Sequence, residues 1–304
     1  MPARDQCRAN QLTLRVTLIV TTYNWPAALD LTLQSIARQS AAPVQIIVAD
    51  DGSGPETREV VARWQERLKT PLVHMWQADE GFRLARSRNR AIAAARGDYV
   101  IIVDGDMVLH RHFIADHARA ARHGCFIQGV RLLTGPATAG RMLERGMLDL
   151  GFFAPDIKRR RHTVRSLLLS RLVFRERTGQ RAIRGCNQAY WKSDLIRVNG
   201  FNEAFEGWGR EDNEIAARLY NAGIQRRNLK FQALAIHLHH PLRHAQMGER
   251  NDALLQSTIE ERKAWCPLGL NQHLDPGIPG VRRPQDSRPD SGRPESDQPV
   301  GEFA

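Results

Sequence analysis

Short runs of β-branched and other apolar residues alternate with segments of helical period along the first hundred residues. Val16–Val20 is such a run, and a continuous apolar strand is typical of a sheet covered on both faces. The next segment carries Leu29, Leu33 and Ile36 at the spacing of one helix face. Repetition of this unit predicts an α/β fold with a mainly parallel sheet flanked by helices. The predicted strands are 16–20, 44–49, 72–76 and 99–103, and the predicted helices are 27–39, 56–68 and 84–96.

Polar and acidic residues collect where these predicted strands end. Thr21 follows the first strand, Asp50 and Asp51 follow the second, and Asp104 and Asp106 follow the fourth. Ligands bind at the carboxyl ends of the strands in parallel sheets. One Asp-Gly pair is more often a turn than a site, but three such strand ends favour contacts to a base and a ribose, plus a divalent cation. Neither a G-x-G-x-x-G motif nor a P-loop follows the first strand, which argues against dinucleotide and ATPase functions.

The stretch Gly207–Asp212 combines an aromatic ring with adjacent carboxylates. Trp208 lies between two glycines, which let the backbone approach a ligand closely, and its flat face is of the kind on which sugars stack. Glu211 and Asp212 follow at a predicted helix N-terminus, where the macrodipole favours the ionised form. A carboxylate placed in this way can take a proton from a sugar hydroxyl. The pattern also fits a helix N-terminus with matching acids and a core tryptophan.

Residues 158–184 form a basic segment in which Val164, Leu167, Leu168 and Leu172 fall at helical spacing among arginines. Two interpretations follow from this pattern. The arginines are the solvated face of a helix that packs on the core, or the segment docks on an anionic membrane surface, as basic interfacial helices do.

Two histidines follow the last predicted strand, 231–236. Alternation along a strand places His237 and His239 on one face, which is a suitable arrangement for two metal ligands, and His240 comes directly after them. Residues 246–265 are predicted to form a closing helix. The composition then shifts to Pro, Gly, Ser, Asp and Arg, which predicts a disordered tail over 270–304.

Overall composition is that of a globular protein with a strong positive charge. The chain has 304 residues, of which 42% are hydrophobic and 25% charged, and its net charge is +11. This charge favours an anionic partner such as a nucleic acid, a membrane surface or a phosphorylated substrate. A nucleic-acid-binding protein is therefore an alternative function, although the acidic strand ends would repel phosphate without a metal.

Cysteine spacing and hydropathy bear on the compartment. The four cysteines are widely spaced and include no C-x-x-C pair, so a reducing compartment is expected. No run reaches the roughly 18 apolar residues that span a bilayer, and the N-terminus lacks the apolar centre of a signal peptide. The expected location is the cytoplasm, with peripheral attachment to the inner membrane left open.

These residues together resemble a family 2 glycosyltransferase of the GT-A fold. The similarity rests on VTLIVTTYN, IIVADDGS and GFRLARSRNRAIAAARGDYVIIVDGDM. The later stretch GCNQAYWKSDLIRVNGFNEAFEGWGREDNE is similar to the C-terminal segment of β1,4-galactosyltransferases and chondroitin-polymerase-type enzymes. The combination of DGD, WGxED and H-x-H is more specific than any one of them. The resemblance implies a single GT-A domain over 14–265, with a nucleotide-binding half (14–107), an acceptor and catalytic half (108–245) and the closing helix.

On the donor side, the resemblance implies a UDP-sugar, with UDP-Gal, UDP-GalNAc and UDP-GlcNAc as the candidates. Thr21, Tyr23 and Asp51 would line the uridine pocket. Arg83 would approach the diphosphate, and Asp104 would lie near the ribose.

The resemblance also implies a bound Mn²⁺ or Mg²⁺. Asp106 matches the metal-binding residue of a D-x-D motif, and His237 and His239 match the late histidine ligands, with His240 as an alternative. A cation that bridges the diphosphate would stabilise the negative charge of the leaving group.

On the acceptor side, Trp208 would stack on a sugar, Glu211 would hold the acceptor and Asp212 would be the catalytic base. Arg210 stands where the family usually has glycine. The implied function is an inverting, metal-dependent transfer of a hexose or N-acetylhexosamine to a glycan or lipid-linked glycan, in the synthesis of a surface polysaccharide or lipopolysaccharide. A nucleic-acid-binding protein and a catalytically inactive GT-A scaffold are the alternatives.

Overall fold

Twelve strands and nine α-helices make up the described part of this computed structural model, which comprises residues 14–173, 176–177, 179–241 and 248–275. The strands are β1 Val16–Thr22, β2 Gln45–Asp50, β3 Leu72–Trp76, β4 Tyr99–Asp104, β5 Met107–Leu109, β6 Cys125–Gln128, β7 Leu132–Thr134, β8 Ile157–Lys158, β9 Glu176–Arg177, β10 Asn187–Trp191, β11 Gln225–Asn228 and β12 Ala235–His237. The helices are α1 Pro26–Ala37, α2 Pro55–Arg67, α3 Leu84–Ala94, α4 Phe113–Ala120, α5 Pro136–Arg145, α6 Leu167–Leu172, α7 Lys192–Arg197, α8 Glu211–Asn221 and α9 Gly248–Glu260.

A large β-sheet lies at the centre, with strand order β3-β2-β1-β4-β10-β6-β11-β9 in the described residues. The first four strands of this order are mutually parallel. Alternate residues of β1 pack on opposite faces, because Leu18 and Val20 belong to one apolar cluster and Ile19 to another. Burial on both faces explains why these strands are continuous apolar runs in the sequence. The predicted α/β fold with a mainly parallel sheet is confirmed.

The polar strand ends meet at one edge of this sheet, as predicted. In the register of the parallel strands, Thr21 of β1 lies opposite Asp104 of β4, and Thr22 lies opposite Asp50 of β2. The candidate nucleotide-binding residues are therefore brought together by the pairing of β1 with its two neighbours.

Two features that the sequence pattern did not predict complete this edge. Strand β10 runs antiparallel to β4, with Asn187 opposite Val103, so the residues just before β10 reach the same edge. A second, smaller sheet has the order β5-β12-β7-β8 in the described chain. Its β12 pairs with β5 so that His237 lies opposite Met107, directly after Asp106. The strand predicted at 231–236 is thus shorter, and it belongs to this second sheet.

The basic segment 158–184 does not form one long helix. It contains a 3₁₀ helix at Arg160–Thr163 and the six-residue helix α6, which Ser166 caps by accepting a hydrogen bond from the Leu169 amide at 3.2 Å. Leu168 and Leu172 are 68% and 72% exposed. The interpretation of this segment as a helix packed on the core is therefore wrong for these leucines.

The C-terminal part of the described chain packs against the domain. Helix α9 lies within the predicted closing helix and contacts α8. Leu270, which the sequence placed at the start of the tail, is fully buried in a short 3₁₀ helix, so the folded region extends to at least 275. The remainder of the predicted tail, 276–304, lies outside the described residues. Among the helices of the described residues, none has the length and apolar character needed to cross a bilayer.

Candidate active site

The turn Asp104–Asp106, between β4 and β5, is fixed against β1. Thr21 Oγ1 donates a hydrogen bond to Asp104 Oδ1 at 3.0 Å, and the Gly105 amide donates to the Thr21 carbonyl at 2.6 Å. A Cβ atom on Gly105 would lie 2.8 Å from that carbonyl oxygen, which is closer than a side chain permits. Glycine is therefore required between the two aspartates, because the turn has to approach β1 this closely.

Asp106, His237 and His240 form a group that could hold a metal ion. The Nε2 atoms of His237 and His240 lie 3.4 and 3.3 Å from Asp106 Oδ2. The other carboxylate oxygen of Asp106 is buried and has no hydrogen-bond partner among the described residues. Such an atom costs free energy unless it serves a ligand. One carboxylate oxygen and two imidazole nitrogens suit a divalent transition metal such as Mn²⁺.

Protonation states in this group also suit a cation. Burial lowers the pKa of His237 to about 3, so its imidazole is neutral, which is the form that binds metals. Burial first, and then the neighbouring Asp104, raises the pKa of Asp106. A bound cation would restore the ionised form of this carboxylate.

The second histidine of the group differs from the one that the sequence predicted. Alternation favoured His239, but alternation requires extended backbone, and β12 ends at His237. The chain then turns, the His239 amide donates to Thr134 Oγ1 at 2.9 Å, and the exposed His239 residue lies outside the group. His240, which the sequence offered as the alternative ligand, takes the place of His239 in the group.

Asp51 is the centre of the predicted uridine pocket. It is almost fully buried and accepts hydrogen bonds from Gln77 Nε2 at 2.6 Å and from the Arg83 amide at 2.8 Å. Burial raises its pKa, while these two donors lower it. Tyr23 is exposed at the same edge, and its hydroxyl donates to Asp79 at 3.0 Å. These residues lie together as the sequence predicted.

Arg83 does not point freely towards a diphosphate in this structure. Its guanidinium forms an ion pair with Glu80 and donates to the Ala78 carbonyl at 2.9 Å. Glu80 is exposed, so this pair is weak in water. A role in binding the diphosphate requires Arg83 to exchange this partner for the ligand.

Glu211 and Asp212 begin helix α8, as predicted, and lie close to the DGD turn. Asp212 Oδ2 accepts a hydrogen bond from the Gly185 amide at 2.8 Å, and its Oδ1 accepts from the Asn213 amide at 2.8 Å. Burial raises the pKa of both carboxyl groups, and the charge of Arg88 lowers it. The pair thus combines a desolvated environment with a nearby cation, which is typical of a group that takes up a proton during a reaction.

Arg88 joins the two halves of the site. This residue of α3 is 1% exposed, and its guanidinium lies 3.5 Å from Asp104 Oδ1, 3.2 Å from Glu211 Oε1 and 5.0 Å above the Phe201 ring. Arg88 was not among the residues predicted from the sequence. The sequence did contain a signal for it, because Arg88 lies one helical turn from Ala85 and Ile92 on the buried face of α3. An arginine on a buried helix face usually has a carboxylate partner.

Trp208 lies at the tip of a loop that precedes α8 and is 60% exposed, so it is not a core residue. Both flanking glycines have positive φ, and Asn251 of α9 donates to the Gly209 carbonyl at 3.0 Å. Arg210 also has a left-handed φ of 76°, which explains why glycine suits this position. Its Nε lies 2.5 Å from Asp252, which holds the loop to α9.

Two family models match the chain. The model for glycosyl transferase family 2 matches residues 17–189, which is more than half of the sequence. The chain belongs to glycosyl transferase family 2. A second model, described as the N-terminal domain of galactosyltransferase, matches residues 165–242, where Glu211, Asp212 and His237 lie. The expected enzyme class, a glycosyltransferase, is confirmed.

The relatives of this chain include a glucosyltransferase and a polysaccharide synthase. Validoxylamine A glucosyltransferase of Streptomyces hygroscopicus subsp. limoneus is 30% identical over 226 residues, which cover 69% of this chain and 48% of the relative. Chondroitin synthase of Escherichia coli is 27% identical over 254 residues, covering 74% of this chain and 35% of the relative. The chain therefore spans about half, or less, of the length of these relatives.

Solved structures with the same fold include GT-A enzymes. S. aureus TarS superposes with a TM-score of 0.56 at 18% identity, covering 82% of this chain and 41% of that one. A crystal structure of GalNAc-T7 with UDP, GalNAc and Mn²⁺ gives a TM-score of 0.59 at 13% identity, covering 82% and 50%. At this identity the similarity establishes the fold alone.

Proposed function

We propose that this glycosyltransferase moves a hexose or an N-acetylhexosamine from a UDP-sugar to a glycan acceptor, with inversion and with the help of a divalent metal. The observation that carries the proposal is the Arg88 bridge. A single buried guanidinium contacts both Asp104, in the turn that carries the metal candidate, and Glu211, which precedes the candidate base. The residues proposed to bind the donor and those proposed to bind the acceptor therefore lie in one small region.

On the donor side, Asp51 and Tyr23 would bind the uracil and Asp104 the ribose. Asp106, His237 and His240 would hold the metal, with Mn²⁺ favoured over Mg²⁺ by the two imidazoles. When bound, the metal would neutralise charge that develops on the diphosphate as the glycosidic bond breaks.

On the acceptor side, Trp208 would stack on a sugar ring and Glu211 would orient it by hydrogen bonding. A carboxylate oxygen of Asp212 would take the proton of the attacking hydroxyl. The acceptor oxygen then forms a bond to C1 while the bond from C1 to the UDP oxygen breaks, and UDP leaves with the electron pair. One base and one displacement require no covalent intermediate, so the configuration at C1 inverts.

A panel of UDP-sugars with Mn²⁺ tests this proposal, with UDP release and thermal shift measured for each donor. The expected donor both stabilises the protein and is slowly hydrolysed without acceptor. Asp212→Asn should abolish transfer and retain the UDP-dependent thermal shift. The matched control is Asp98→Asn, because Asp98 is exposed at the opposite end of β4. Near-normal turnover by Asp212→Asn would refute the assignment of the base.

We also infer that the acceptor is presented at a membrane, with 158–184 as the contact segment. Besides the exposed leucines of α6, Phe153 is 91% exposed. Arg160 Nη1 donates to the carbonyls of Phe152 and Ala154 at 2.9 and 2.7 Å, which fixes the loop that carries Phe153 to the basic segment. Apolar side chains among arginines match an interface of anionic lipid.

Flotation with vesicles of phosphatidylglycerol and phosphatidylcholine tests this contact. Wild type should float with vesicles that contain phosphatidylglycerol and remain at the bottom with phosphatidylcholine alone. Leu168→Ser combined with Leu172→Ser should reduce flotation and leave UDP-sugar hydrolysis unchanged. Equal flotation of the double variant and wild type would refute the contact.

A further inference from the structure

Three arginines on adjacent segments border the candidate active site. Arg131 precedes β7 and Arg159 follows β8, and these strands pair antiparallel with Leu133 opposite Lys158. The buried His162 fixes both backbones, because its Nδ1 lies 2.8 Å from the Arg131 carbonyl and its amide donates to the Arg159 carbonyl at 2.8 Å. The two arginines are therefore held as neighbours by the second sheet.

Arg184 is brought to the same place by the central sheet. Gln128, the last residue of β6, accepts a hydrogen bond from the Arg184 amide and donates one to its carbonyl, both at 3.0 Å. Two residues further along, Cys186 Sγ accepts from Arg131 Nη1 at 3.2 Å. Main-chain and side-chain contacts thus fix Arg131 and Arg184 near the end of β6.

Arg131 and Arg184 are half-buried and Arg159 is exposed, and these three arginines differ in their partners from arginines that form ion pairs inside the domain. Within the part of the chain that the structure describes, Arg131, Arg159 and Arg184 have no carboxylate oxygen within the 4.0 Å of an ion pair, and Arg131 Nε is buried without a hydrogen-bond partner. Examples of paired arginines are Arg88 with Glu211 at 3.2 Å, Arg165 with Asp116 at 2.7 Å and Arg218 with Glu214 at 2.7 Å.

The charges of the three arginines also favour a bound anion. Partial desolvation lowers the pKa of Arg159, and the charges of Arg184 and Arg131 lower it further. Like charges that the backbone holds together repel each other, and an anion bound among them would remove this cost. Guanidinium groups also present paired donors that match the oxygens of carboxylate and phosphate groups.

The cluster lies beside the reacting groups. Gly185, next to Arg184, donates its amide to Asp212, the proposed base. Arg131 lies two residues before Leu133, which pairs with His237 where β7 and β12 run parallel. A substrate group bound by the three arginines would therefore lie near both the proposed base and the metal candidates.

We propose that Arg131, Arg159 and Arg184 bind an anionic group on the acceptor, a carboxylate or phosphate close to the attacking hydroxyl, so that the enzyme prefers acidic over neutral glycans. This proposal rests on the transfer proposed above. The diphosphate of the donor carries similar oxygens, and the experiment below separates the two sources.

The first arm needs no catalysis. Inorganic phosphate and pyrophosphate should raise the melting temperature of the full-length protein without metal or donor, and Arg159→Met combined with Arg184→Met should abolish this shift. Arg161→Met is the matched control, because Arg161 is an exposed arginine of the same segment. An equal shift in the double variant and wild type would overturn the anion site even if the protein proves to be no UDP-sugar transferase.

The second arm compares acceptors at saturating donor and Mn²⁺. For wild type, kcat/KM should be higher for a p-nitrophenyl β-glucuronide than for the matching β-glucoside, and the double variant should lose about 10- to 100-fold on the acidic acceptor alone. The KM for the donor, measured by hydrolysis without acceptor, should stay unchanged. A rise in that donor KM with an unchanged ratio between acceptors would overturn the proposal and assign the arginines to the diphosphate.

Discussion

Replacement of Arg88 by methionine is the most direct test of how the site is held together. Methionine keeps an unbranched chain and removes the charge, which leaves Asp104 and Glu211 without their shared cation. At 3.2 Å and an effective dielectric constant of about 20, the attraction between Arg88 and Glu211 is about 5 kcal/mol. Removing one partner of a buried pair costs a similar amount, about 3–5 kcal/mol. At about 2–4 °C per kcal/mol for a domain of this size, the melting temperature should fall by about 6–20 °C.

Loss of Arg88 should also shift the pH dependence of activity and of stability in a defined direction. Arg88 lowers the pKa of Glu211 and of Asp212, so its loss should raise both. The acidic limb of the kcat profile should then move to higher pH, because the base stays protonated longer. A carboxyl group with a raised folded-state pKa contributes stability at low pH that is lost as the pH rises through that pKa. The stability deficit of Arg88→Met should therefore be larger at pH 8 than at pH 5.5.

Two further variants make the measurement specific. Arg86→Met alters an exposed arginine of the same helix and should change the free energy of unfolding by less than about 0.5 kcal/mol. Arg88→Lys keeps the charge but not the fork of donors that reaches two carboxylates, so an intermediate loss is expected. If Arg88→Met melts within 2 °C of wild type and its acidic limb does not move, the bridge does not organise the site.

The remaining predictions concern the metal, the aromatic platform and the DGD turn. Asp106→Asn and His237→Ala should abolish the thermal shift caused by Mn²⁺, while the control His239→Ala should keep it. Because burial raises the pKa of Asp106, Mn²⁺ affinity in titration calorimetry should increase with pH through that pKa. Trp208→Ala should leave the melting temperature unchanged, since the side chain is largely exposed, and raise the acceptor KM by about 2- to 12-fold. Gly105→Ala should lower both the melting temperature and Mn²⁺ binding, because its Cβ would meet the Thr21 carbonyl.

The parallel half of the sheet could be predicted from the sequence, and the reason is physical. A strand that is buried on both faces has to be apolar at every position, so β1, β2 and β4 each differ from their predicted ranges by only one or two residues at the ends. The acidic strand ends then follow, because parallel strands bring their carboxyl ends to one edge. Local pattern and tertiary structure agree over the first hundred residues, where the predicted strands and helices alternate.

Elements defined by long-range pairing were beyond this kind of prediction. Strand β10, with the sequence NQAYW, has no strand periodicity and depends on β4 and β6 for its partners. Strand β12 is three residues long, and the end of its extended backbone decides that His240 rather than His239 joins Asp106. Neither fact is encoded within a few residues of the strand, so no local pattern could supply it.

The antiparallel β10 explains why chemistry concentrates at this edge of the sheet. Had a further parallel strand followed β4, its start would lie at the opposite edge and its end would only extend the row of nucleotide contacts. Because β10 is reversed, the residues that enter it, Arg184 to Cys186, lie beside Asp104 and the DGD turn. Gly185 can then hold Asp212 while Cys186 holds Arg131, so one segment links the proposed base to the basic cluster. An acceptor that enters along Trp208 would meet both, so the proposed preference for acidic acceptors depends on that strand reversal as much as on the arginines.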